Sequence, residues 1–278
     1  MPKSDNFGKG SSLVSTSMPE TVQLFVTCVI DAVFPQVGRD VVEELERNGA
    51  RVDFPQNQTC CGQPAYNAGH RTEATDVLIH NLEVLDRTDG PIVIPSGSCS
   101  DFILHHGPRL AADRPGKAEL AERVADRVRE FTSFVVEKRA GQAEGPAPPA
   151  GTDEGERTRA FYHPSCHALR GLGLRKEGEA LLESVDSVER VDLESAEECC
   201  GFGGLFALEM PEISTEIMNT KLDRLEAAQV QMLVGADAAC LIHLEGGLRR
   251  RNNPMQVLHI ASVLAKGRAE AENGGSGS

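Results

Sequence analysis

Apolar residues along this chain alternate between two periods. An apolar run stands at Val22–Ile30, a short strand is expected at Arg51–Phe54 and a buried one at Pro91–Pro95 (Pro-Ile-Val-Ile-Pro). Between them the spacing widens to that of a helix. Pro35 opens one with Val37, Val41 and Leu45 on one face and Gly49 as its stop, and Ala74, Leu78, Leu82 and Leu85 place another over residues 71–87. The predicted order is β-α-β-α-β, followed by a helical stretch from Ala118 to Arg139.

Ala140 to Arg157 is rich in Gly, Pro, Ala and Glu and reads as a flexible linker. The pattern then restarts, with strands expected at Thr158–Tyr162, Val188–Leu193 and Val230–Val234 and a helix carrying Ile213, Ile217, Lys221 and Leu225 on one face. Such alternation implies an α/β fold of two pseudo-symmetric, Rossmann-like halves with parallel sheets, whose ligands gather in loops at the carboxyl ends of the strands. The expected division is a disordered N-terminus over 1–20, a first domain over 21–139, the linker over 140–157, a second domain over 158–267 and a disordered tail over 268–278, which ends in Gly-Gly-Ser-Gly-Ser.

Cysteine repeats with the same division. Cys28, a gap of 31 residues, Cys60-Cys61-Gly62 and then Cys99 are followed in the second half by Cys166, a gap of 32, Cys199-Cys200-Gly201 and then Cys240. All eight cysteines of the chain belong to this repeat. Neighbouring Cα atoms lie about 3.8 Å apart, whereas disulfides want about 4.4–6.8 Å, so adjacent cysteines need partners elsewhere. Met1 to Glu20 is polar and has no apolar core of a secretory signal, which makes the reducing cytoplasm the expected compartment. Recurring thiols there read as ligands of an iron–sulfur cluster, as structural zinc ligands or as inert core residues; four thiolates suit a 4Fe–4S cluster, and the close C-x2-C pairs usual for zinc are missing. Gly62 and Gly201 let the backbone approach the sulfurs and adopt positive φ.

Composition narrows the function classes. The chain is 40% apolar and 25% charged, and no apolar run approaches the roughly 18 residues of a spanning helix, so no transmembrane segment is expected. A net charge of −14 and an aromatic content of 4% argue against a nucleic-acid partner. Gly171-Leu172-Gly173 lacks the third glycine of a dinucleotide fingerprint, since Lys176 stands there. Neither a phosphate loop, an H-E-x-x-H motif nor a nucleophile elbow is present.

Five motifs carry a family resemblance. They are Cys60-Cys61-Gly62-Gln63-Pro64-Ala65-Tyr66-Asn67-Ala68-Gly69-His70, Pro95-Ser96-Gly97-Ser98-Cys99, Tyr162-His163-Pro164-Ser165-Cys166-His167, Cys199-Cys200-Gly201-Phe202-Gly203-Gly204 and Cys240-Leu241-Ile242-His243. Over about residues 20–266 the chain resembles the cysteine-rich (CCG) domain iron–sulfur oxidoreductases, nearest to the lactate utilization protein A type. The B subunit of heterodisulfide reductase and the iron–sulfur subunit of glycolate oxidase resemble it more distantly. The resemblance implies an electron-transfer subunit that acts with lactate utilization proteins B and C to convert L-lactate to pyruvate. It also implies iron–sulfur clusters of the 4Fe–4S type on Cys28, Cys60, Cys61, Cys99, Cys166, Cys199, Cys200 and Cys240. Zinc at one site, a cluster-dependent thiol/disulfide reductase and a zinc-bearing scaffold remain the alternatives.

One departure weighs against a five-thiolate cluster. The wider family closes each half with C-x-x-C, but Ser96 and Asp237 occupy the first of those positions here. Each is a candidate oxygen ligand, a hydrogen-bond donor or acceptor beside a cluster, or a plain loop cap. His167, next to Cys166, is the candidate catalytic residue, and His163, His70 and His243 are candidates for orienting thiolates or relaying protons. His105, His106 and His259 read as structural or solvated, and Arg170 and Arg249-Arg250-Arg251 as a solvated face or an anion site.

Overall fold

The computed structural model describes residues 20–141 and 157–274. The segments read as a disordered N-terminus and as a linker lie almost wholly outside the described residues. Eight strands are found among the described residues: β1 (Glu20–Leu24), β2 (Ala50–Asp53), β3 (Ile92–Ile94), β4 (Val128–Glu130), β5 (Thr158–His163), β6 (Val188–Arg190), β7 (Met232–Gly235) and β8 (Gln256–His259). They form two four-stranded sheets of order β2-β1-β3-β4 and β6-β5-β7-β8, with every pairing parallel. The α/β architecture with two pseudo-symmetric halves is therefore the one that the alternating pattern predicts.

Each half has one strand more than the pattern showed. The expected helix from Ala118 to Arg139 is broken into the helix Ala118–Ala125, the strand β4 and the helix Phe131–Gly141. Three residues with an exposed arginine in the middle are too short to show a period, and only pairing with β3 makes them a strand. β8 hides in the same way. At the other end, the helix Ile260–Gly274 runs through much of the stretch read as a tail from residue 268.

Both faces of each sheet are covered. In β1, Val22 and Leu24 face one core while Phe25, just beyond the strand, faces another, and in β3 Val93 opposes Ile92 and Ile94. The inner faces share a single core, in which Val22, Leu24 and Phe134 of the first half meet Tyr162, Leu181 and Leu264 of the second. Two helix pairs close it, Pro35–Arg47 against Ile260–Gly274 and Phe131–Gly141 against Lys176–Glu183. Within the first pair, Glu44 is nearly sealed from solvent and takes hydrogen bonds from Arg139 (2.8 Å) and Arg268.

The outer faces carry the sulfur. Cys61 and Cys99 belong to the outer core of the first half, and Cys200 to that of the second, with Cys240 packed against it. The strand order explains why the loops converge: after β1 the chain crosses to β2 on one side and returns to β3 on the other, leaving a crevice at the carboxyl ends of β1 and β3. β5 and β7 repeat this arrangement. Among the described residues, no helix is long and apolar enough to cross a membrane.

Candidate metal centre

Each cysteine tetrad is assembled from three loops. In the first half, Cys28 opens the helix Cys28–Val33, the pair Cys60-Cys61 lies in the loop beyond β2, and Cys99 sits in the short helix Gly97–Asp101 after β3. Gly62 ends the pair at φ +98°, and a Cβ there would stand 2.9 Å from the carbonyl oxygen of Ala74. A side chain at residue 62 would force the loop off the helix below.

The sulfurs neighbour one another in the order Cys28, Cys60, Cys61, Cys99, and adjacent thiols shift the titration of the first three. Thiol donors from Cys28 and Cys61, helped by the Gly62 amide, hold the Cys60 thiol down to about 2, whereas the bond to Cys60 and burial push Cys28 well up. The second half repeats this link for link. Cys166 and Cys200 hold Cys199 down to about 2, the Gly201 amide donates to its sulfur at 3.3 Å, and Cys200 contacts Cys240 at 2.9 Å between sulfurs. Gly201 stands at φ +89°, with Ser214 O only 2.5 Å from a Cβ built on it. All eight cysteines are free thiols.

The donor chemistry suits a thiophilic metal group: four sulfurs per half, one of them held low by its neighbours, a backbone amide aimed at it and an apolar wall behind. Cys200 and Cys240 would have to part slightly to hold one metal ion between them.

The cysteine-rich (CCG) domain profile matches the chain twice, over residues 22–103 and 160–245. The chain belongs to the CCG cysteine-rich domain family. It is 39% identical over 249 residues to lactate utilization protein A 2 of Bacillus cereus and to lactate utilization protein A 1 of Bacillus anthracis, in each case across 88% of this chain and 98% of the relative. Lactate utilization protein A of Exiguobacterium sp. is also 39% identical, over 251 residues that cover 90% of this chain and 99% of that protein.

The two CCG halves differ at the residues around the sulfurs. Asn81 and Lys221 both reach into the loop that precedes the cysteine pair. Asn81 donates to the carbonyl of Cys60 (2.8 Å) and accepts from the Thr59 amide, while the Lys221 ammonium donates to the carbonyls of Glu198 (3.0 Å) and Ala196 (3.3 Å). Lys221 is 3% exposed, lies over the Phe161 ring and has no carboxylate partner among the described residues; burial pushes it down to about 8, and the four thiols of its half oppose that. Its helix Pro211–Ala227 is rotated from the expected face, so that Ile213 is exposed and Ser214, Met218 and Leu222 are inside with Lys221. A cation on an apolar stripe was the signal in the sequence that could have marked it.

Phe25 and His163 form the second contrast. Each stands three residues before the first cysteine of its half, Phe25 in the outer core and His163 buried with both ring nitrogens unpartnered among the described residues. Burial holds the imidazole down to about 3, so it is neutral.

Ser96 and Asp237 meet at the junction of the halves. Ser96 caps the helix carrying Cys99 and Asp237 caps the helix Ala238–Arg250, and Asp237 Oδ2 accepts from the Ser98 amide (2.8 Å) and from Ser96 Oγ (3.4 Å). Their oxygens are occupied by caps and by each other. His167 also lies at the junction: its Nδ1 bonds Asp101 Oδ2 at 2.5 Å, and its Nε2 lies 3.4 Å from Gln63 Nε2. Asp101 holds His105 with its other oxygen at 2.6 Å. Spacing alone did not single out Gln63, Asp101, Asn81 or Lys221 as neighbours of the sulfur sites.

The remaining histidines serve locally. His243 lies 3.4 Å from Ser214 Oγ and tilts against Phe202, His106 stacks on Phe102, and buried His259 accepts from the Ala261 amide. His70 precedes the helix Arg71–Leu85 without capping it by its side chain. Arg249 and Arg251 pair with Glu245 and Asp223, and Arg170 donates to the Glu197 carbonyl, so the sequence offers them as an anion site but they are engaged here.

Proposed function

We propose that this protein is an iron–sulfur electron-transfer subunit of an L-lactate-oxidising system. The observation that carries the reading is the pair of matching four-thiol sites at the carboxyl edges of two parallel sheets, which uses every cysteine of the chain. Cys28, Cys60, Cys61 and Cys99 would hold one iron–sulfur group, of the 4Fe–4S type, and Cys166, Cys199, Cys200 and Cys240 the other. When bound, such a group takes up and passes on one electron at a time.

The chain's own residues prepare for that charge. Neighbouring thiols hold Cys60 and Cys199 low, the Gly201 amide donates to Cys199 Sγ, and Lys221 adds a buried positive charge beside the second site. Asp101 fixes Nδ1 of His167 as its hydrogen-bonded nitrogen, leaving Nε2 turned toward Gln63 of the other half. His167 is thereby suited to hold or accept a proton at Nε2 as the catalytic candidate. The names of the similar proteins support a part in lactate utilization, and the family resemblance adds L-lactate as substrate, lactate utilization proteins B and C as partners and the cytoplasm as the compartment of this reading.

A second reading, structural zinc at the second site, draws on one observation. A ring nitrogen of His163 and the sulfurs of Cys200 and Cys240 lie within 4.8 Å of one another, compact enough for a single ion. Metal and acid-labile sulfide analysis after anaerobic purification decides between them. Iron with sulfide in both halves is expected, with Cys60→Ser and Cys199→Ser each losing about one centre's iron; zinc without sulfide overturns the redox reading. Lactate-dependent reduction of an artificial acceptor, in the presence of the two partner proteins, then tests the substrate.

A further inference from the structure

The strand ladders put His163 and Phe25 in register. Leu24 pairs with Val93 and Tyr162 with Val234, so the next residue of each half occupies the same place at the mouth of its sheet. Phe25 is fully buried there beside Cys61, Ile92 and Cys99. The fold is thus satisfied by a hydrocarbon ring at this position. In the second half the place is taken by an imidazole that is 1% exposed, and neither nitrogen has a hydrogen-bond partner among the described residues.

A buried polar atom without a partner is costly, and His163 carries two. A bound ion is one of the explanations that such atoms call for. Here the explanation is within reach, since a ring nitrogen lies within 4.8 Å of the sulfurs of Cys200 and Cys240. A neutral imidazole is also the form that binds metal ions.

We propose that the metal centre of the second half takes a nitrogen ligand from His163 beside its cysteine sulfurs, so that the two halves hold inequivalent centres, one liganded by sulfur alone and one by sulfur and nitrogen. The inference rests on the metal-binding reading of the tetrads. A neutral nitrogen donor lowers the negative charge of a centre relative to sulfur alone, and histidine ligation raises the potential of iron–sulfur groups. Lys221, close enough to His163 to disfavour its protonation, acts in the same direction. The second half becomes the more easily reduced end of the protein.

The test uses the full-length protein reconstituted with iron and sulfide without oxygen. Pulsed electron paramagnetic resonance of the reduced protein is expected to show a nitrogen coupling that changes when histidine is labelled with 15N. The coupling should vanish in His163→Phe, which copies Phe25, and survive in His167→Gln. In a redox titration one of two centres should shift to lower potential in His163→Phe and the other stay in place. A spectrum indifferent to the label, or a nitrogen coupling retained in His163→Phe, overturns the proposal. His163→Gln replaces the phenylalanine variant if that one does not fold. If metal analysis finds zinc in the second half, the iron reading of that site falls, and X-ray absorption at the zinc edge still decides this proposal: three sulfurs and one nitrogen that becomes four sulfurs or fewer ligands in the variant support it, and four sulfurs in the parent protein overturn it.

Discussion

Asn81 and Lys221 occupy one position in the two halves, each on the helix beneath its cysteine pair and each bonded to the loop that leads into that pair. One half has a neutral amide there and the other a buried cation whose charge is favoured by Cys200, Cys240, Cys166 and Cys199. Burying an ammonium without a partner is costly, so the second site is built to carry negative charge. Lys221→Asn, which copies the first half, is expected to weaken metal retention in the second half by about 10–100-fold, the usual scale for an outer partner of a metal site. Competition with a chelator, followed separately for the two halves through Cys60→Ser and Cys199→Ser backgrounds, checks it; equal retention with asparagine would refute it.

Gly201→Ala should damage the second site more than Gly62→Ala damages the first. Both glycines have positive φ, but a Cβ on Gly201 falls 2.5 Å from Ser214 O and 3.1 Å from Met218 N, against 2.9 Å from Ala74 O for Gly62. The left-handed conformation alone costs roughly 1–2 kcal/mol. The measurable outcome is a lower metal content in the altered half, with the larger loss for Gly201→Ala.

The junction between the halves depends on Glu44. With Glu44→Gln, Arg139 and Arg268 lose their shared carboxylate at a nearly sealed site, and the expected loss of stability is about 2–4 kcal/mol. Urea denaturation should show it as an earlier, still single transition. Two separated transitions would instead mean that the halves unfold independently, against the shared inner core.

Glu130 makes stability pH-dependent. Burial pushes its carboxyl up to about 7 from 4.5, opposed by hydrogen bonds from Thr132 and Ser133. A raised carboxyl favours the folded state fully below pH 4.5 and loses that advantage as pH climbs through about 7. Glu130→Gln should therefore gain on the parent as pH rises through this window, by an amount on the order of 3 kcal/mol at its plateau. A difference between the two proteins that stays flat from pH 4 to pH 8 (about that range) would refute the assignment.

Much of this was legible before folding was considered. The repeat of Cys28, Cys60-Cys61-Gly62 and Cys99 in Cys166, Cys199-Cys200-Gly201 and Cys240 announced two like halves, and the helices Pro35–Arg47 and Arg71–Leu85 follow the apolar spacing closely. β4 and β8 were not visible, because three or four residues with polar members carry no period of their own. The helix Ile260–Gly274 passes through residues whose small and charged composition suggested a tail.

Local pattern thus determined the α/β class, the duplication and the repeat of the cysteines, since period, turn residues and spacing are properties of neighbours along the chain. Tertiary structure alone decided what stands beside those cysteines. Asp237 meets Ser96 across 141 residues, His167 meets Asp101 across 66, and His163 and Lys221 are set apart from Phe25 and Asn81 only once the two sheets are superposed in register. Such contacts are fixed by crossover topology and by close packing of the shared core, and neither leaves a mark on adjacent residues.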